Sequence, residues 1–434
     1  MPKTRDVSEA AAETMTYRGE PPLRPKRSAK NVVFQGVSAI FLKVAGSDTH
    51  KEVSLAPVSD RPSVVVVTDG QISCVGADCM TPQTSDFVSI DLEGGVITPG
   101  LTSYGSFMGL MEIRQERSTQ DGKIPDILAG SSDLLDGLVT YGKDGALFGG
   151  KDQLLAYANG ITKGIVHPIQ SGMFQGVSYS YATDGKTSLD GLVDGVAAVH
   201  VGLGQDQRGA TSSQIGVLRA LLNGEYSEKT ELTKLFKSVA KGDIVLVADV
   251  RKADIMASLI LLKREFPSVK MTFEGAHEAW LVSLIYEPPT FRDSSLSKIK
   301  IADDIAAAEI GVIVSPARSY PGDWDSRRIL PGLPLSEDSL PVHLSKKGIT
   351  VGLGITEEWM ARNVRLDAAW TYINSNGSMS KSQAMDLVSA NLDKLLGLKS
   401  GEQQGWVAWE GDFFSLQGKV RAIRGEGSTG VDLF

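Results

Sequence analysis

From Asn31 the chain runs in short apolar stretches of strand length, each closed by Gly, Asp or Pro. NVVFQGVSAIFLKV, PSVVVVTDGQISCVGA and FVSIDLEGGVITPG are rich in β-branched residues and predict antiparallel strands. Farther on, strand and helix periods alternate: strand DIVLVADV, helix KADIMASLILLKREF, strand VKMTFEGA, helix HEAWLVSLIYE, then strands GVIVSPA and GITVGLGI. Helical patterns follow in EEWMARNVRLDAAWTYINS and SKSQAMDLVSANLDKLLGL, before a β-like tail, GWVAWEGDFFSLQGKVRAIRGEG. The alternation predicts βα units around a parallel sheet, and strands at both ends predict that the termini share one small domain. The expected fold is α/β: a (β/α)8-type TIM barrel over residues 96–403 and a composite β-sandwich from residues 31–95 and 404–434. Residues 1–30 are polar and finish near PPLRPKRS; they carry too little apolar surface to order themselves and are expected to form a disordered arm.

Composition narrows function more than fold. The 434 residues are 42% hydrophobic and 22% charged, enough to bury a sizeable core, and a mean hydropathy of -0.05 fits neither a membrane bundle nor a disordered polyampholyte. A net charge of -8 repels phosphate backbones, so nucleic acid is not an expected partner. No stretch approaches the ~18 apolar residues of a membrane span, and the N-terminus has no apolar signal core. A cytoplasmic protein with no membrane partner is expected, and a homodimer is compatible with this surface. The two cysteines, Cys74 and Cys79, stand in a C-x4-C spacing with no second pair, so a zinc site lacks two ligands and two reduced thiols are expected.

The stretch GGVITPGLTSYGS resembles the opening of the amidohydrolase superfamily barrel, where a GxVxPGLID strand leads into His-x-His. The tail GWVAWEGDFFSLQGKVRAI resembles that superfamily's closing strand pair. GITKGIVHP, ADVRKADIMASLILLKREFP and LGITEEWMARNVRLDAAW are similar to fungal amidohydrolase-like proteins, and the resemblance spans about residues 31–425. It implies a barrel whose chemistry needs a divalent ion, which generates hydroxide at neutral pH and polarises the scissile carbonyl. At the positions it assigns to metal ligands, however, this chain has Gly105, Phe107, Ala248, Trp280 or His277, and Thr356. The five histidines, His50, His167, His200, His277 and His343, include no H-x-H or H-x3-H pair that would set two imidazoles on one face. No metal and no other cofactor is therefore expected.

In such a barrel the residues just after each strand line the working face. After the first strand these are Tyr104, Ser106, Phe107 and Met108, either a binding surface or a plug in the vacated metal cavity. His167 and His200 each end a probable strand, as proton donors or as satisfied core histidines. Asp249, Arg251 and Glu274 bring two carboxylates and a guanidinium to one rim, for acid–base work or as a loop-steadying ion pair. The catalytic candidates are thus Tyr104, His200, Asp249, Arg251 and Glu274. Ser106, Phe107, Met108, His167, Phe174, Trp280, Arg318, Trp324, Thr356 and Trp359 are the substrate-binding candidates, and PARSYPGDWDSRRILPGLPL reads as a lid.

A broad apolar pocket with few polar anchors suits a bulky hydrophobic ligand. The expected function is a metal-independent enzyme of fungal secondary metabolism that cyclises, in a pericyclic or Diels-Alder-type step, or isomerises a small hydrophobic metabolite of terpenoid or polyketide class. A non-catalytic binding or scaffold protein, and an amidohydrolase-type hydrolase with an atypical site, are the alternatives.

Overall fold

The computed structural model describes residues 24–55, 63–80, 85–123, 139–169, 172–204, 209–225, 230–281, 301–318, 325–399 and 404–434. Strands from both ends of the chain share one sheet. Its seven strands run in the order Arg27–Ala29, Val431–Leu433, Lys419–Arg424, Trp406–Glu410, Val96–Pro99, Ala39–Lys43 and His50–Ser54. A four-stranded sheet, ordered Gln71–Gly76, Val64–Thr68, Asn31–Gln35 and Phe87–Asp91, packs against it. Val32, Phe34, Val65 and Val67 meet Ile40, Ile97, Trp406 and Ala422 in one apolar cluster, with Phe34 edge-on to Trp406 at 5.7 Å. The Asp69-Gly70 turn joins two of these strands with φ values of 49° and 75°, the left-handed backbone a two-residue hairpin loop demands.

Two expectations fail in this region. Residues 27–29, assigned to the disordered arm, pair antiparallel with Val431–Leu433. A sheet edge offers unpaired N–H and C=O groups that a short polar segment can take up without burying apolar side chains. The arm as far as residue 23 lies outside the described residues. Cys74 and Cys79, expected as reduced thiols, form a disulfide. The turn after Gly76 brings their Cα atoms to 5.8 Å, within the reach of a bridge, so the C-x4-C spacing needs no second pair. Disulfides mark oxidising compartments, which leaves the cytoplasmic expectation without redox support. Among the described residues no helix is long and apolar enough to cross a membrane.

The middle of the chain builds two further sheets. Leu101–Tyr104 runs parallel to Ile161–Val166. Ala198–Gly202, Val245–Val250, Met271–Gly275, Gly311–Val314 and Val351–Leu353 form a parallel run in chain order, with helices such as Ala253–Glu265 between them. The all-parallel expectation breaks at one place. Phe174–Val177 and Tyr179–Ala182, separated by Ser178 alone, run antiparallel to Ala198–Gly202 and Ile161–Val166 respectively. On the far side Ile355 N donates to Tyr104 O at 2.9 Å, yet among the described residues no ladder closes the two sheets into a ring. The architecture is mixed α/β, with a strand order consistent with a (β/α) barrel and sheets that are not closed.

Strand alternation decides which side chains face inward. Val245 and Val247 join Tyr104, Ile165 and Ile313 in an inner cluster, closed beneath by Leu392, Leu395 and Leu396 of helix Ala390–Leu396. Leu246, Ala248 and Val250 belong instead to the outer cluster with Met256, Leu259 and Ile260 of helix Ala253–Glu265. The helix expected in HEAWLVSLIYE is absent from its described part, residues 277–281. Ala276 has φ 46°, and the buried side chains of His277 and Glu278 bond to Ser315 O and Ala253 N, so the chain turns there instead of coiling. The rest of that segment lies outside the described residues.

Candidate active site

Four strands deliver one polar group each to the inner face at their C-terminal half. Tyr104 ends Leu101–Tyr104, and His167 follows Val166. His200 lies between the outward-facing Val199 and Val201, and Glu274 follows the outward-facing Phe273. The side chains meet although their sequence separation reaches 170 residues: Tyr104 OH donates to Glu274 Oε2 at 2.7 Å. The His167 and His200 rings stack at 4.6 Å, Tyr104 stacks beyond His200 at 6.3 Å, and Phe107 meets His167 edge-on at 5.7 Å. All four polar residues are buried; Tyr104 and His200 are each 1% exposed.

Burial sets the protonation of this cluster. It raises the Glu274 carboxyl to about 7, against the opposing pull of the Tyr104 hydrogen bond and the Arg251 charge. The Tyr104 phenol is pushed well above its ordinary value by burial first and the Glu274 charge second. His200 is driven well below 6.5 by burial and by His167, and His167 is lowered by burial although the Pro168 carbonyl and Asp249 oppose it. Both imidazoles are therefore neutral at pH 7.

Hydrogen-bond partners assign the tautomers. The Pro168 carbonyl can only accept, so His167 Nδ1 donates to it at 2.9 Å and Nε2 keeps its lone pair. Ser178 Oγ donates to Ala198 O at 3.2 Å and accepts from Ala198 N at 3.1 Å. It accepts a second bond from His200 Nε2 at 2.8 Å, which leaves the lone pair of His200 on Nδ1. That Nδ1 atom is buried and has no hydrogen-bond partner among the described residues.

The sequence-derived candidates divide into three groups. Tyr104, His200, Glu274, His167 and Phe107 come together, and the charges of Asp249 and Arg251 reach them. Ser106 and Met108 are buried in the turn after Tyr104, where Met108 O accepts from Tyr181 OH at 2.7 Å. Others are drawn off elsewhere. Phe174 is core, packed on Phe236 at 6.2 Å. Trp280 Nε1 donates to Arg328 O at 2.8 Å, and Arg318 pairs with Asp367 at 2.7 Å over Trp370. Thr356 Oγ1 contacts Met360 Sδ at 3.6 Å, and Trp359 is 46% exposed on a 3-10 turn. Each of these five has a packing or hydrogen-bonding partner, or a solvent position, outside the four-residue polar cluster. Trp324 lies outside the described residues, as does the centre of the lid loop. Ser178, which fixes the tautomer of His200, was missed; its only signal is its place between two β-rich stretches.

The metal question changes with this geometry. Of the positions assigned to family ligands, Ala248 faces the outer helices and His277 Nε2 is spent on Ser315 O at 2.9 Å. No H-x-H or H-x3-H spacing is needed for two imidazoles to meet, since His167 and His200 reach each other from different strands. Together with Glu274 they place three ligand-type atoms within 4.8 Å of one another. Two neutral imidazoles and a carboxylate are a donor set that fits a divalent transition ion, at positions other than the family's own.

No family model matches the chain. It is 29% identical over 432 residues to the protein named amidohydrolase tasK of Hapsidospora irregularis; the match covers 86% of this chain and 40% of that protein, so the chain spans well under half the length of this curated relative. Among solved structures it resembles an amidohydrolase from Thermotoga maritima MSB8, with a TM-score of 0.66 and 17% identity over 91% of this chain and 98% of the other. A Xaa-Pro dipeptidase with methionine bound in its active site matches at a TM-score of 0.47 and 12% identity, over 92% and 99% of the two chains. The chain is thus similar in sequence to the protein named amidohydrolase tasK and shares the mixed α/β fold of the Thermotoga maritima amidohydrolase.

Proposed function

We propose that the chain is an enzyme on an amidohydrolase-type (β/α) barrel, and that it cyclises or isomerises a bulky hydrophobic metabolite without adding water. The observation that carries this reading is the buried cluster of Tyr104, His167, His200 and Glu274 at the C-terminal strand ends, flanked by the apolar Phe107. In a water-poor site such fixed donors and acceptors act strongly on charge that develops in a transition state, and an apolar wall holds a flexible substrate near its reactive conformation. Arg251 and Asp249 add opposite charges at the rim. Terpenoid or polyketide intermediates of fungal secondary metabolism have the matching bulk and apolarity.

The test is incubation of the purified chain with a panel of such intermediates in ¹⁸O-labelled water. Conversion without label in the product is the expected result. Incorporated label supports the second reading, an amidohydrolase-type hydrolase with an atypical site, which the convergent His167, His200 and Glu274 donors favour. Binding of a panel compound without conversion by the intact chain supports a scaffold role instead.

A further inference from the structure

We propose that His167, His200 and Glu274 form a three-ligand site for a divalent transition metal ion of the zinc class, built from strand positions other than those the amidohydrolase resemblance assigns. The inference deepens the reading of this cluster as the working site and rests on it for location, not for the type of reaction.

Three observations carry it. One candidate ligand atom from each of the three residues lies within 4.8 Å of the others, while a tetrahedral ion with ~2.1 Å bonds sets its ligands ~3.4 Å apart, so side-chain adjustments of about an ångström bring all three into bonding range. Each of the three ligands is also held by a partner on its other side, the arrangement that orients metal ligands in built sites. His167 Nδ1 is fixed on Pro168 O, His200 Nε2 on Ser178 Oγ, and Glu274 Oε2 on Tyr104 OH. Not engaged in those bonds are one imidazole nitrogen on each histidine and the second Glu274 oxygen. Three acceptors facing one another in a buried space repel unless a cation lies between them. The His200 Nδ1 atom, in a residue 1% exposed, has no hydrogen-bond partner among the described residues.

A single proton shared between Glu274 and an imidazole is the competing way to relieve that repulsion, and it separates cleanly from a metal. Two imidazoles and one carboxylate leave an ion with open coordination positions, which is the pattern of catalytic rather than structural sites. When bound, such an ion supplies Lewis acidity to a substrate oxygen. The chain's own part is to orient the ligands through Ser178, Pro168 and Tyr104 and to keep bulk water away.

The experiment uses the full chain, stripped with chelator and dialysed against Zn²⁺ or Co²⁺, with metal content read by elemental analysis and the cobalt form by visible absorption. One equivalent per chain is expected, with a cobalt spectrum of low coordination number. His200→Ala and Glu274→Gln should each abolish stoichiometric binding while far-ultraviolet circular dichroism is unchanged. Should either variant fail to fold, Ser178→Ala and Tyr104→Phe provide the readout: each should weaken binding by ~10–100-fold, the usual effect of removing a group that orients a ligand. Substoichiometric metal in the parent chain, or full binding that survives His200→Ala, Glu274→Gln and Ser178→Ala, overturns the site. Because the readout is metal content and not turnover, its failure leaves the reaction class standing, and label incorporation from ¹⁸O-water leaves the metal site standing.

Discussion

The two ends of the same inner strands solve the problem of buried polar groups in opposite ways. Near the start of Ile161–Val166, Lys163 Nζ lies 2.5 Å from Asp393 Oδ1, and both side chains are less than 10% exposed. Beside them Thr272 Oγ1 donates to Leu395 O at 2.7 Å, and Asn391 Nδ2 donates to Val351 O at 2.7 Å. Donor meets acceptor at each point. Four residues on from Lys163, just past the same strand, His167 opens the other end, where it stacks on His200, whose buried Nδ1 has no hydrogen-bond partner among the described residues. Full satisfaction is what stability favours, and a buried group left open calls for another explanation, such as a ligand or ion. Under the proposed function the Lys163–Asp393 pair is structural and the His167–His200 end is the working one, although both are buried.

The comparison breaks most visibly at Lys163. Replacing it with Met strands the Asp393 carboxylate in the interior and should cost ~3–5 kcal/mol of stability in urea unfolding at pH 7. Adding Asp393→Leu should recover most of that, and turnover per folded molecule should be unchanged. At the other end Tyr104→Phe should do the reverse. It removes the donor to Glu274, so turnover of a converted substrate should fall ~10²–10³-fold, while the unfolding free energy moves by no more than ~1.5 kcal/mol. Equal effects of both changes on stability alone would abolish the distinction.

A smaller effect tests whether an open carboxylate away from the site behaves as a cost. Asp184 has a buried Oδ1 with no partner among the described residues, and burial raises its carboxyl to about 6, helped by Asp432 and Glu426. Its folded pKa exceeds the unfolded value of 3.8, so the stability it allows is complete below 3.8 and is lost as pH rises through about 6. Asp184→Asn should therefore raise Tm at pH 8, by ~2–4 °C for a gain on the order of 1–2 kcal/mol, and should change little at pH 3.5. The smallest expected effect is at the sheet edge. Deleting residues 1–29 removes the strand on Val431–Leu433 and should lower stability by ~1 kcal/mol in thermal unfolding, with turnover retained.

Much of this molecule was legible along the chain because its signals are local. The β-branched runs around Asn31, Val64 and Phe87, the Asp69-Gly70 turn, and the helix Ala253–Glu265 each follow from side-chain alternation and turn chemistry within about a dozen residues. The same locality placed Tyr104, His167, His200, Asp249 and Glu274 at strand ends, which is why those candidates fall at one mouth. Alternation also explains the failure at Ala248: motif alignment fixes an order of residues, whereas the pleat decides which of Ala248 and Asp249 faces inward.

The sequence by itself determined which residues form strands and helices and which polar groups stand at strand ends, since propensity, pattern and turn residues act between neighbours. Only the tertiary structure decided that Phe174–Ala182 returns antiparallel, that Cys74 and Cys79 bond, that Trp280 and Arg318 are taken up by Arg328 and Asp367, and that His167 meets His200. The physical reason is the same in each case. Partner choice across tens or hundreds of residues depends on which faces the packed sheets bring within a few ångströms, and no spacing along the chain encodes that distance.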